Sequence, residues 1–299
     1  MMNYHFHDHA SSDGARPLRE HAAAAAAAGF REICVTNHVE ALRPDGSWDV
    51  ELDEALRRFE AELAAVEAAR GEFPELRIRF GAEFAFRPAW TRPLERLARE
   101  MPFDFVLGSL HEVDGIDVSG PHADAFFAGR PARDTYGRYV EALGDLVAWG
   151  AFDAVAHFDL VKRYGHRTYG DVDPAEVEDR ARPVLAAMAR AGIGIETNTS
   201  GVVQLPRVPY PDTPVLAWAR EEGVPFLTVG SDSHAPEHFG QGIGAGLDAA
   251  RTAGWEALTT FAGRRPAGTI PLAAAGANGG SEGAAGGADR RTGPAGGAA

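Results

Sequence analysis

Histidines and carboxylates recur along this chain in short clusters separated by apolar runs. The first, YHFHDHASSDG, places His5, His7 and His9 within five residues and Asp13 just beyond them. A helix would turn residues i and i+2 about 200° apart, whereas a strand points them to one face. Read as a strand, the stretch projects His5 and His7 together, and His9 with them if the strand runs that far. Further clusters hold His38 (TNHVE), Glu83 (GAEF), His111 (GSLHEVDG), His157 and Asp159 (AHFDLVKRYG), Asn198 (ETNTSG), and Asp232 and His234 (GSDSH). Imidazole and carboxylate are the donor set that suits Zn²⁺, Mn²⁺ or Fe²⁺. About nine ligands are too many for one ion; two to three divalent ions sharing carboxylates fit better, and such ions activate water for hydrolysis.

Each cluster also has an ordinary reading. A single histidine can be a hydrogen-bonded core residue, Glu83 or Asp232 a helix cap, and HAPEHFG a solvated loop. Position weighs against all of these holding at once. Apolar runs predict strands near 3–7, 31–36, 77–82, 104–108, 153–156, 193–197 and 225–229. Amphipathic segments predict helices over 16–28, 51–70, 91–100, 134–149, 174–191, 212–222 and part of 246–262. Alternating strands and helices imply a parallel sheet, and seven such units suggest a closed α/β barrel. Every cluster then falls at the C-terminal end of a strand, the active-site face of β/α barrels. His21, before a poly-Ala run, reads as helix surface; His122, His166 and His238 have no assigned role.

The 29 basic and 43 acidic residues give a net charge of −14, which argues against a nucleic-acid groove or an anionic membrane surface. Cys34, the one cysteine, sits in the apolar run EICVT and reads as a buried strand residue, so neither a disulfide nor a cysteine zinc site is expected. No leader and no span of about 20 apolar residues is present, so a cytoplasmic protein is expected. Residues 1–272 read as one domain. Residues 273–299 contain no large apolar side chain and read as a flexible Gly/Ala-rich tail.

In this order, the motifs resemble the polymerase-and-histidinol-phosphatase (PHP) superfamily of metal phosphoesterases, over roughly residues 3–240. GSLHEVDG, HFDLVKRYG and the NTSG segment are similar to those of its monofunctional histidinol-phosphate phosphatases. The resemblance implies a distorted seven-stranded β/α barrel that hydrolyses L-histidinol phosphate, a small phosphomonoester of histidine biosynthesis. It implies a three-metal site. His5, His7, Glu83 and Asp232 would hold one ion, Glu83 would bridge to a second with His111 and His157, and Asp13, His38 and His234 would hold the third. A hydroxide bridging two metals would attack phosphorus, and Asp232 or His234 would protonate the leaving alkoxide.

Two positions depart from the family pattern. Asn37 stands where the family usually has an acid, so restoring the acid is expected to be mild or helpful. Val203 stands where the family often has an arginine. Arg207, Lys162 or Arg163 could replace that arginine and, with Asn198, bind substrate and phosphate. The alternatives are a PHP phosphoesterase acting on a nucleotide or another phosphomonoester, a catalytically silent metal-binding module, and a sugar- or amine-binding barrel.

Overall fold

Seven short parallel strands follow one another around a ring in sequence order. They are β1 (Met2–Asn3), β2 (Glu32–Val35), β3 (Arg77–Ala85), β4 (Phe105–Ser109), β5 (Ala154–Val155), β6 (Gly194–Asn198) and β7 (Leu227–Gly230). The computed structural model describes residues 1–42, 48–120 and 122–272, so the expected tail over 273–299 lies outside the described residues. The ring closes just beyond β1. Tyr4 N–H donates to Val229 O at 2.8 Å, Asp232 N–H to His5 O at 2.7 Å, and His7 N–H to Ser233 O at 2.9 Å. Strands covered on both faces need continuous apolar sequence, and Ile33, Cys34 and Val35 are fully buried.

The crossovers are helical: α1 (Leu18–Ala27), α2 (Leu52–Glu72), α3 (Thr91–Glu100), α4 (Ala132–Trp149), α5 (Lys162–Tyr169), α6 (Glu178–Ala191), α7 (Thr213–Glu221) and α8 (Ile243–Thr252). Gly150 and Gly192 end α4 and α6 in the left-handed conformation that glycine adopts without steric cost. No helix of the described residues is long and apolar enough to cross a membrane.

Two expectations change. Regular pairing of the first strand stops at Asn3, because from Tyr4 onward the chain turns to pair with β7 and the segment after it. The segment expected to be partly helical over 246–262 splits at Thr252. Beyond it, β8 (Ala257–Ala262) and β9 (Arg265–Pro271) form an antiparallel hairpin. Its β-branched Thr259 and Thr260 suit a strand better than a helix. The hairpin closes the barrel floor: Phe261 N–H donates to Tyr4 Oη at 2.9 Å, and its ring lies 4.9 Å from those of Phe105 and Phe226. Arg264 pairs with Asp153 at 3.0 Å on the same side. With the floor sealed, the open C-terminal end of the barrel carries the polar residues.

Candidate metal centre

Each strand ends by turning a polar side chain inward. The β2–β3 ladder extends past its apolar core to a bridge between His38 and Glu83. Arg58, on α2, donates to Val39 O at 2.8 Å and so anchors the backbone that carries His38. At the end of β7, Gly230 admits the His5 side chain, since a Cβ there would lie 2.2 Å from His5 Cβ. His157 and Asp232 have positive φ angles of 28° and 52°. Such backbone is costly for residues other than glycine and persists only where the surroundings enforce it.

The nine residues His5, His7, Asp13, His38, Glu83, His111, His157, Asp232 and His234 make up four overlapping groups of donor atoms, each able to hold an ion, and no other described residue joins them. Glu83 is central and fully buried. Its Oε2 lies 3.2 Å from His5 Nε2, 3.5 Å from His7 Nε2 and 3.1 Å from His38 Nδ1. Its Oε1 lies 3.1 Å from His157 Nε2 and 3.2 Å from His111 Nε2. Asp232 Oδ1 faces His7 at 3.3 Å and His5 at 3.6 Å. Asp13 Oδ2 faces His234 at 3.1 Å and His38 at 3.6 Å.

Charge in this cluster is tightly shared. Burial alone would raise the Glu83 carboxyl, but His38, His5 and His111 outweigh it and hold the group well below the usual carboxylate range. Burial, followed by the neighbouring His234 and His38, pushes His7 down to about 3. Against their own burial, the Glu83 charge first and Glu40 with it lift His38 to about 9 and His111 to about 10. The carboxylates thus draw positive charge into the site, and cations binding there would release protons from these ligands. Six imidazoles and three carboxylates converging on one another fit divalent zinc, manganese or iron.

The residues expected to bind substrate divide. Arg163 lines a cavity of about 320 Å³ above the cluster, as do Trp90, Asp117 and Tyr164. Lys162 does not. Consecutive helical residues point about 100° apart, and the buried Lys162 Nζ lies 2.7 Å from Asp159 Oδ2 and 2.5 Å from Asp212 Oδ2 in a separate cleft. Arg207 is exposed, donates back to Val203 O at 3.2 Å, and does not reach the cavity. Asn198 is fully buried beneath the cluster. Its amide donates to Glu196 Oε2 at 3.2 Å while its oxygen accepts from Ser200 Oγ at 2.7 Å, so it braces the site rather than facing the cavity.

His9 points outward, 61% exposed. His21 is not surface but fully buried, its Nε2 2.9 Å from Ala15 O and its ring stacked 5.4 Å from Phe6. Asn37 touches none of the nine donors. It accepts from Asp8 N–H at 2.9 Å and donates to Asp8 Oδ1 at 2.7 Å, pinning the loop that leads from His7 to Asp13.

Two carboxylates escape the sequence reading. Glu40 Oε1 lies 3.4 Å from His38 Nδ1 and 3.7 Å from His111 Nδ1. Glu196 Oε1 lies 2.8 Å from His5 Nδ1, and its Oε2 accepts from His157 N–H at 3.0 Å. A carboxylate on the far nitrogen of a ligating histidine fixes its tautomer and raises its basicity. The only advance signal for Glu196 is a charged residue inside the otherwise apolar run IGIET. Glu196→Gln is expected to weaken metal affinity about 10–100-fold, because an amide cannot accept on both sides. Competition against a chromophoric chelator measures this, and unchanged affinity would remove Glu196 from the support of His5.

Comparison with known proteins follows the same lines. Residues 3–200 match the PHP domain family. A probable histidinol-phosphatase of Deinococcus radiodurans is 30% identical over 242 residues, covering 80% of this chain and 88% of the relative. The histidinol-phosphatase of Lactococcus lactis subsp. lactis is 27% identical over 266 residues, covering 88% and 95%. The crystal structure of histidinol phosphate phosphatase from that organism, complexed with zinc, L-histidinol and phosphate, superposes with a TM-score of 0.76 at 25% identity, covering 89% of this chain and 98% of that one. With the family match over residues 3–200 and a relative 30% identical over most of both chains, the chain belongs to the PHP domain family.

Proposed function

We propose that this protein hydrolyses L-histidinol phosphate to L-histidinol and phosphate, acting in the cytoplasm as an enzyme of histidine biosynthesis. The observation that carries the reading is one cavity with nine converging donors at its base and Arg163 in its wall. The similarity to an enzyme crystallised with zinc, L-histidinol and phosphate supports the choice of substrate.

Two to three divalent ions fit the donor set. His5, His7, Glu83 and Asp232 would hold one, Glu83, His111 and His157 a second, and Asp13, His38 and His234 a third. When bound, such ions lower the pKa of water and offset phosphate charge. The protein does the positioning. Glu83 presents one oxygen to each of two donor groups, and Glu196 and Glu40 orient the imidazoles. Arg163, with no carboxylate partner among the described residues, binds the phosphoryl oxygens. Asp232 or His234 returns a proton to the leaving alkoxide. Cationic charge confined to this cavity lets an anionic substrate enter a chain of net charge −14.

Elemental analysis is expected to find two to three metals per chain, and phosphate release from histidinol phosphate should exceed that from nucleotides and other phosphomonoesters. Chelation should remove activity, and added Zn²⁺ or Mn²⁺ should restore it. One metal or none, with chelator-insensitive turnover, would overturn the metal assignment; preference for a nucleotide would replace the substrate.

A further inference from the structure

We infer that Asp117 binds the ammonium group of the substrate and so selects amine-bearing phosphomonoesters; this assignment rests on the function proposed above. Directly after the donor His111, the chain forms a two-stranded ribbon, Glu112–Val113 with Ile116–Asp117. Its turn residues Asp114 and Gly115 have φ angles of 54° and 77°, the tight geometry of a two-residue hairpin. Val118 N–H donates to His111 O at 2.8 Å, and Arg138 on α4 holds Asp114 at 2.6 Å. The ribbon therefore stands as a fixed wall over the site, and Asp117 lines the cavity from it.

The two oxygens of Asp117 differ. Oδ1 accepts from Ser119 N–H at 2.8 Å, Ser119 Oγ at 2.7 Å and Gly120 N–H at 2.9 Å. Those bonds fix the carboxylate. Among the described residues, Oδ2 has no hydrogen-bond donor, and no lysine, arginine or histidine pairs with the group. The other acids of the wall are engaged. Glu112 holds Arg87 at 2.7 Å, with the guanidinium stacked 4.1 Å over Trp90, and Glu40 sits against His38 and His111. Asp117 is thus an uncompensated anion of the cavity lining, while the donor cluster and Arg163 offer the groups that would gather the anionic end of a ligand. Histidinol phosphate has the matching polarity, a phosphate at one end and an ammonium on the carbon next to its ester CH₂.

Asp117→Asn tests this, since an amide oxygen keeps the three bonds of Oδ1 and only the outer charge is lost. The ratio of kcat/KM for histidinol phosphate to that for glycerol phosphate, which has no amine, is expected to fall about 10- to 100-fold, the range of a charge-assisted hydrogen bond. Inhibition by L-histidinol should weaken by a similar factor, while inhibition by inorganic phosphate should not follow it; a distorted site would move both. A wild-type ratio in the variant overturns the assignment alone. Failure of the wild type to hydrolyse histidinol phosphate overturns the proposed function and the assignment with it.

Discussion

Glu83→Gln is expected to lose more turnover than the roughly 10–100-fold typical when a residue that merely supports a ligand is changed, even with Zn²⁺ or Mn²⁺ in excess. The reason lies in the two faces of the carboxylate. Oε1 meets His111 and His157, while Oε2 meets His5, His7 and His38, so one side chain joins donor groups delivered by four other strand ends. An amide keeps one acceptor and turns an NH₂ toward the other group, where it would repel any cation. The full charge goes as well, and with it the attraction that draws positive charge onto His38 and His111. Glu83 is completely buried at the base of the cavity, shielded from bulk solvent. Measuring metal content and phosphate release on the same sample separates weak binding from lost chemistry. Wild-type turnover by the variant would show that Glu83 bridges nothing.

How far the site could be read from sequence follows from the range of the interactions involved. Donors at strand ends are legible because an apolar run followed by a polar residue is local, and the barrel makes all such positions converge. Glu196 is not legible as support, because its partner His5 lies 191 residues away in sequence and the two meet only when the ring closes. Lys162 and Arg163 look equivalent as neighbours, and only the phase of α5 sends one into the core and the other to the cavity. His21 sits in a poly-Ala helix, which has no apolar stripe to reveal its buried face; Phe6 and Phe239, both distant in sequence, cover it. The hairpin of β8 and β9 is obscured because its use, plugging the floor against Tyr4, Phe105 and Phe226, depends on the finished barrel.

The position before His38 carries the other large prediction, and it reverses the expectation that an acid there would be harmless. Asn37 and Asp8 form a reciprocal buried pair, the amide NH₂ donating to Asp8 Oδ1 at 2.7 Å and the amide oxygen accepting Asp8 N–H at 2.9 Å. Glu62 adjoins the pair, and burial first, then the Asp8 charge, holds its carboxyl well above the usual range. In Asn37→Asp, a carboxylate oxygen would face Asp8 Oδ1 at hydrogen-bond distance. Two carboxylates so close cannot both ionise, and the pair must retain a proton that the unfolded chain releases. The sign follows from that raised folded-state pKa. The penalty is absent below about pH 4, grows by about 1.4 kcal/mol per pH unit above it, and levels off once the pair's own pKa is passed. An uncompensated buried charge costs about 3–5 kcal/mol, a fall in Tm on the order of 10 °C for a chain of this size. The gap to wild type should therefore be wide at pH 8 and narrow at pH 5. Adding Asp8→Asn restores a single charge with the amide on the opposite side. The amide introduced at position 8 can turn its NH₂ toward the carboxylate introduced at position 37, giving up the bond that Asp8 Oδ1 accepts from Ala10 N–H at 2.8 Å, which costs less than the second buried charge. The double variant is expected to regain most of the loss at pH 8. Melting curves of the wild type, Asn37→Asp and the double variant at both pH values decide the matter: a single variant as stable as wild type at pH 8, or a double variant no better than the single, would mean that the Asn37–Asp8 pair does not hold the loop between His7 and Asp13.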